Sequence, residues 1–301
     1  MKRFGNIFKK NLLCLLSMNN DSIDTNGFVD VSETLLTTLF SRAIESESKN
    51  PIIKDPKSVE IAKQLGYDYT TMKSKLPKRS TNKAIAMLAL RTKRFDEIVL
   101  DFLARHPEGI VVNIGCGLDT RFSRIDDGKV EWYDLDFPEV IEVKKHFFQE
   151  NDRYHFISSS VLNFKWIDIL SEKKNQPFLF IAEGVLQYLH EEEVKSLILK
   201  LQDTFPGCEL VCEVAALFLV NMMKRRFWRR MMQRKVRFGQ NTVFNFGIKN
   251  SNDLENWNSG IKLLDDWFYL AQPEKKLGWM RFLGRFKFFR KTQWIVHYRL
   301  N

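Results

Sequence analysis

Cysteine and histidine are scarce: the 301 residues hold four of the first and five of the second. Cys14, Cys116, Cys208 and Cys212 form no CxxC pair, and no histidines stand at a metal-ligand spacing. A disulfide framework is thereby excluded as the source of stability, and a zinc site is not expected. Cys208 and Cys212, four apart on an apolar segment, read as reduced core thiols and imply a cytoplasmic protein. Long apolar runs are missing too, and none approaches the roughly 18–20 residues that span a bilayer. The opening stretch MKRFGNIFKKNLLCLLSMNN imitates a secretory leader, but its apolar core, Leu12 to Leu16, is short and no small-residue cleavage site follows. Residues 1–30 are therefore expected to be a flexible extension.

What is present is ample material for a core. Hydrophobic residues make up 44% of the chain and Phe alone occurs 25 times, enough for one large domain over residues 31–301. The net charge of +10, from 47 basic and 37 acidic residues, is concentrated locally.

Periodicity divides that domain into three parts. Up to residue 105 it is helical, over Val31–Ile44, Ser58–Gln64 and Asn82–Leu103, broken by Pro and Lys clusters; this part reads as a helical cap. From 106 to 213, short apolar runs alternate with amphipathic stretches. Strands are predicted at 110–114, 130–135, 154–158, 178–182 and 208–213, with helices over 138–148 and 191–204. Strands alternating with helices specify an α/β fold with a mostly parallel sheet covered on both faces. Residues 214–301 combine a very basic helix, a polar turn at Lys249–Asn252, another helix and a closing strand pair, with Trp294–Leu300 as the final strand and a contribution from Leu263–Leu270.

Gly115-Cys116-Gly117 follows the first strand directly, where glycines let the backbone turn sharply and approach a ligand. The second strand ends at Asp136, about 20 residues on, where a carboxylate can accept hydrogen bonds from both ribose hydroxyls of an adenosine cofactor. The dinucleotide fingerprint requires a third glycine, and Thr120 stands there instead, which favours S-adenosylmethionine over NAD. Asp119 and Thr120 are read as caps of the next helix, with Arg121 in a salt bridge. Glu183, after the fourth strand, stands where it could receive an α-ammonium group, but taken alone it reads as an exposed loop acid. Arg91, on the helix before the first strand, suits a carboxylate through its planar fork, but taken alone it reads as a solvated helix charge.

Together these residues resemble the leucine carboxyl methyltransferase family, including its tetracenomycin-type polyketide O-methyltransferase branch. The matching pieces, in the family's order, are Glu33-Thr34-Leu35 with Arg42-Ala43, Arg91-Thr92 with Phe95-Asp96, Val112 through Arg121, Trp132 through Val140, and Ala182 through Leu189, with Phe246-Gly247-Ile248 as a late signature. The resemblance implies a Rossmann-like class I methyltransferase: a seven-stranded, mostly parallel sheet with an N-terminal helical cap, using S-adenosyl-L-methionine. It implies Arg91 for the cofactor carboxylate, Gly115, Cys116, Gly117 and Asp119 in the cofactor loop, Asp136 for the ribose and Glu183 for the amino group. Where the family has an Asp near the third strand this chain has Ser160. Its hydroxyl can still hydrogen-bond a base edge without charge; the adenine contacts are expected to be weaker or to come from the Val161 backbone and from Asn163.

A carboxylate acceptor is ionised at neutral pH and needs no general base, whereas a hydroxyl needs one. The motifs contain no obvious base: His190 reads as a helix cap, and Tyr188 is the candidate for positioning a substrate. Methyl transfer to a carboxylate of a small acidic metabolite is therefore the first expectation and transfer to a hydroxyl the second. An NAD-type oxidoreductase on the same sheet and a non-catalytic basic binding protein are the alternatives. Between Glu213 and Asp253 there is no acid, and Lys and Arg crowd residues 222–237 among Met, Phe and Trp at helical spacing. That amphipathic pattern suits a lid, an anion-attracting entrance or a peripheral membrane contact. Nucleic acid is not an expected partner, because the Asn/Asp-Pro-Pro-aromatic segment of base-amino methyltransferases is replaced by Ala182-Glu183-Gly184-Val185.

Overall fold

The computed structural model describes residues 25–66, 78–224 and 244–301. Three helices come first: α1 (Thr25–Ser46), α2 (Pro56–Gln64) and α3 (Lys78–Arg105). Asp55 starts α2, its carboxylate accepting the Ser58 N–H at 3.0 Å ahead of Pro56. The boundary expected at residue 30 falls within α1, and the basic segment from Arg225 to Arg237 lies outside the described residues.

The predicted strands form β1 (Ile110–Ile114), β2 (Glu131–Asp136), β3 (Tyr154–Ser158), β4 (Phe178–Ala182) and β5 (Cys208–Ala215), joined by β6 (Ile261–Trp267) and β7 (Gln293–Leu300). They make one sheet in the order β3-β2-β1-β4-β5-β7-β6, with β7 antiparallel to both its neighbours and the remaining pairs parallel. Between them run α4 (Arg121–Ile125), α5 (Pro138–Lys145), α6 (Lys165–Ser171), α7 (Glu191–Thr204) and α8 (Leu217–Lys224). The helix expected through Phe148 stops at Lys145, with the chain turning over His146 and Phe147. The helix expected after the 249–252 turn is a single 3-10 turn, Asp253–Asn256, because the chain must enter β6 only a few residues later. Thr120 does not cap α4; Asp119 does that work, Oδ1 accepting the Arg121 N–H at 3.0 Å.

Strand alternation allots the core. On β1, Ile110, Val112 and Ile114 face one layer with Trp166, Leu197, Ile198 and Leu201 from α6 and α7. Val111 faces the other, with Phe95, Ile98, Val99 and Phe102 from α3 and Leu39 and Ala43 from α1. Both faces of the central strands are thus buried, which explains their continuous apolar runs. Among the described residues no helix is long and apolar enough to cross a membrane.

Candidate active site

The carboxyl ends of β1, β2, β4 and β5 share one sheet edge, the edge where open α/β sheets bind ligands. Gly115 (φ +63°) and Gly117 (φ +50°) turn the chain there in a conformation that L side chains avoid. A Cβ on Gly115 would lie 2.4 Å from Val185 Cγ2, and one on Gly117 2.3 Å from Leu35 Cδ2. The loop is therefore closely covered by the post-β4 turn on one side and the cap helix on the other.

Asp136 closes the loop from β2. Its Oδ2 accepts the Gly117 N–H at 2.8 Å and its Oδ1 accepts the Phe137 N–H at 2.8 Å. Burial raises the Asp136 pKa above the ordinary value, and the two N–H donors offset that only in part. Two single bonds leave lone pairs on both oxygens, the acceptor capacity a vicinal diol requires.

A buried polar support lies under the loop. Lys144 and Asp134 are almost fully buried and paired, Nζ to Oδ2, at 2.8 Å. Lys144 Nζ also donates to the carbonyls of Gly117 (3.2 Å) and Asp119 (3.0 Å). Asp134 collects further bonds from Asn113 Nδ2 (3.0 Å), Trp132 Nε1 (2.9 Å) and the Tyr154 hydroxyl (2.5 Å). Burial pushes the Cys116 thiol well above its ordinary pKa, so it stays neutral.

The acids and guanidiniums of the edge form one chain of contacts. Glu183 Oε1 accepts from Arg91 Nε at 2.7 Å and Oε2 from Arg121 Nη2 at 2.5 Å. Arg91 Nη1 donates to Glu213 Oε2 at 3.0 Å, and Glu213 Oε1 accepts the Tyr269 hydroxyl at 2.5 Å. Arg121 also binds Asp96 (2.7 Å) and Asp119. Arg124 continues the network from Asp96 to Asp55 (2.9 and 2.8 Å), where Arg42 and Thr120 meet. Thr120, which stands where a dinucleotide site has glycine, thus ties the loop to the cap. Burial would raise the Glu183 and Asp119 carboxyls, but Arg91 and Arg121 outweigh it for the first, and Arg121 and Arg124 for the second; both are held below the ordinary range. Burial would lower the Arg91 pKa, yet Glu213 and Glu183 raise it and keep the guanidinium charged.

Two neighbours complete the edge. Gln187 is 3% exposed, and its Oε1 is buried without a hydrogen-bond partner among the described residues. Its backbone carbonyl is anchored by the N–H groups of Asn245 (2.8 Å) and Phe246 (3.2 Å), and its Nε2, Arg91 Nη1 and Glu213 Oε2 all lie within 4 Å of where a Gly184 Cβ would stand. Tyr188 is half-buried, packs edge-on against Phe244 with centroids 5.5 Å apart, and has its pKa raised by burial and by Glu213. Ser160 and Val161 follow β3 at the same edge. Ser160 Oγ accepts the Leu162 N–H at 3.3 Å, and the Val161 carbonyl already holds Trp166 Nε1 at 3.0 Å, so of the expected backbone contacts at Val161 only its N–H remains. His190 opens α7 as read, its N–H held by Glu193 at 2.7 Å.

Arg91, Gly115, Cys116, Gly117, Asp119, Asp136, Ser160, Val161, Glu183 and Tyr188 therefore lie along one edge. Lys144, Glu213, Gln187 and Tyr269 belong there as well and were missed. A lysine on the apolar stripe of α5 between Ile141 and Phe148 was the available signal for the first; Glu213, an acid closing a strand, was the signal for the second.

This strand order, with an antiparallel β7 inserted between β5 and β6 and a glycine loop facing an acid at the end of β2, defines a class I S-adenosylmethionine-dependent methyltransferase. It sets aside the oxidoreductase alternative. The chain belongs to the leucine carboxyl methyltransferase family, whose model matches residues 35–202. It is 28% identical over 251 residues to the tetracenomycin polyketide synthesis O-methyltransferase TcmP of Streptomyces glaucescens, covering 83% of this chain and 87% of that one. It is 25% identical over 268 residues to the S-adenosyl-L-methionine-dependent methyltransferase dpfgK of Gibberella zeae, covering 82% and 86%. Among solved structures it is similar to the magnesium protoporphyrin IX methyltransferase ChlM of Synechocystis, with a TM-score of 0.45 and 11% identity over 72% of this chain and 87% of that one.

Proposed function

We propose that this methyltransferase acts on an oxygen of a small acidic metabolite, with a carboxylate as the preferred acceptor. In this reading Asp136 takes the ribose hydroxyls, Arg91 the donor's carboxylate, Glu183 its ammonium group, and the 115–119 loop its methionine portion. Ser160 and the Val161 N–H serve the adenine. When bound, S-adenosylmethionine supplies a methyl group on a sulfonium; an acceptor oxygen displaces it, forming a C–O bond while the C–S electron pair returns to sulfur. The protein's task is to hold the acceptor in line, and such positioning supplies roughly 7–11 kcal/mol in favourable cases.

One observation carries the carboxylate preference: among the described residues, the acids of the edge other than Asp136, which takes the ribose in this reading, are already committed. Asp119, Glu183 and Glu213 are each paired with a guanidinium, and the hydroxyl of Tyr269 donates to Glu213. Residues 214–252 contribute neither acid nor histidine. A site without an available base suits an acceptor that arrives ionised. The printed name of the Streptomyces relative, a polyketide O-methyltransferase, supports an oxygen acceptor and a polyketide-like carboxylic acid as the first compounds to test. Tyr188, beside Gln187 and Arg91, serves as the substrate-positioning side chain.

The test begins with calorimetric titration of S-adenosylmethionine and S-adenosylhomocysteine into the protein and into Asp136→Ala. One-site binding lost in the variant is the expected result; equal binding by both proteins overturns the assignment of the ribose site. Aromatic acids are then offered as acceptors and the products treated with mild alkali. A methyl ester releases methanol and a methyl ether does not, so alkali-stable product overturns the carboxylate reading.

A further inference from the structure

The connection from β6 to β7 leaves and re-enters the sheet at the site edge. Ala215 pairs with Gln293, and Tyr269 reaches Glu213. This connection is pinned to the cap: Leu277 is buried against Ala86 and Leu90 of α3, and Lys276 bonds Glu45 and Ser48 at the end of α1. Its outer surface gathers three exposed aromatic rings. Trp279 is 61% exposed, Phe282 55% and Phe286 61%, all within eight positions. They lie on and beside the short helix α9 (Met280–Leu283), just ahead of α10 (Lys287–Arg290).

The charges around these rings have one sign. Residues 273–292 include seven Lys or Arg and a single acid, Glu274, whose carboxylate accepts the Lys276 N–H at 2.8 Å. Lys83 Nζ stands 4.8 Å from the Trp279 ring and Arg285 5.3 Å from the Phe282 ring. Exposed apolar area is costly in water unless something covers it, and cations at its rim select an anionic occupant.

We propose that this face docks onto an anionic lipid surface. Aromatic side chains with Arg and Lys at their flanks match the boundary between headgroups and acyl chains, where rings enter and cations remain with the phosphates. A single-stranded nucleic acid would use rings as stacking platforms. Here the partly exposed side chains of Met280 and Leu283 share the surface, and they offer no stacking face but do enter hydrocarbon. Because the connection borders the catalytic edge, docking holds the site mouth against the membrane.

The test is co-sedimentation of the full chain with phosphatidylcholine vesicles and with vesicles containing one third phosphatidylserine. Binding is expected only to the anionic vesicles and should fall as salt is raised. A Trp279→Ala/Phe282→Ala/Phe286→Ala variant should lose about tenfold in affinity while binding S-adenosylhomocysteine as before, which shows that it folds. Brominated lipid should quench the native protein more than Trp279→Phe. Failure to bind, undiminished binding by the triple variant (docking elsewhere, such as through residues 225–237), or preference for a short oligonucleotide over vesicles each overturns the proposal.

Discussion

Two buried clusters of charge occupy opposite edges of the sheet. At the amino end of β5, Glu209 is 2% exposed and takes Arg105 on both oxygens (2.7 and 2.9 Å), His297 at 2.9 Å and Arg299 at 2.9 Å. At the carboxyl edge, Glu183 and Glu213 hold Arg91 and Arg121 in an equally dense arrangement. The first cluster is closed: its carboxylate is saturated, and its arginines reach outward to solvent, 36% and 41% exposed. The second is open, with the unpartnered Gln187 Oε1 beside it and Asp136 carrying a raised pKa at the loop. Composition does not separate them. Position does, because only the carboxyl edge presents a glycine loop and diverging turns to a ligand.

The comparison can be broken most forcefully at Glu209. Glu209→Ala leaves His297 without its buried acceptor while Arg105 and Arg299 turn to solvent, and unfolding by urea should show a loss of about 1–3 kcal/mol. The cofactor affinity of the folded fraction should not change; a weakened affinity would mean that the two edges are coupled. Glu183→Gln keeps the shape but removes the charge between two guanidiniums. Calorimetry with S-adenosylhomocysteine should show a loss of about 1.5–3 kcal/mol in binding. An unaffected affinity would make Glu183 a structural strut like Glu209.

Acid should then separate Glu209 from Asp136 by sign. Burial opposes ionisation of Glu209, but His297, Arg105 and Arg299 hold its folded pKa well below the ordinary 4.5. The stability it contributes is therefore fully present above that value and is lost as pH falls below it. Thermal midpoints should drop through that range, with a shallower drop in Glu209→Gln. Asp136 has the opposite shift, its folded pKa lying above 3.8. Protonation of Asp136 is easier in the fold than in the unfolded chain, so its ionised form costs stability, and cofactor affinity should decline on acidification at a pH above 3.8. Asp136→Asn should remove that limb while lowering affinity throughout.

The smallest effect is expected at Gln187, and its direction is informative. An orphaned buried acceptor destabilises a fold, so Gln187→Leu should leave the melting temperature unchanged or raise it. If a ligand donor meets Oε1, the same substitution should reduce turnover about tenfold. A fall in melting temperature with turnover intact would place the residue in the packing alone.

Much of the architecture was legible because its causes are local. Strand alternation, the caps at Asp119 and His190, and the glycine turn after β1 depend on neighbours a few positions away, and β1, β3, β4 and α7 appear where periodicity places them. The misreadings have local causes as well. His146, Phe147 and Phe148 continue a helical pattern that the backbone abandons after Lys145, and the stretch after residue 252 has helical composition but only a few residues before it must enter β6.

From the sequence alone came the α/β alternation, the loop at Gly115–Gly117 and its acid partner at Asp136, together with the motifs that mark the family. Tertiary structure decided the charge pairing. Arg91 meets Glu183 across 92 positions and Glu213 across 122, Lys144 turns inward to Asp134, and Gln187 Oε1 finds no donor among the described residues. Those choices follow from which strands lie adjacent at the sheet edge. Strand order is set by the burial of two apolar faces over the whole domain, a global requirement that no short window of sequence carries.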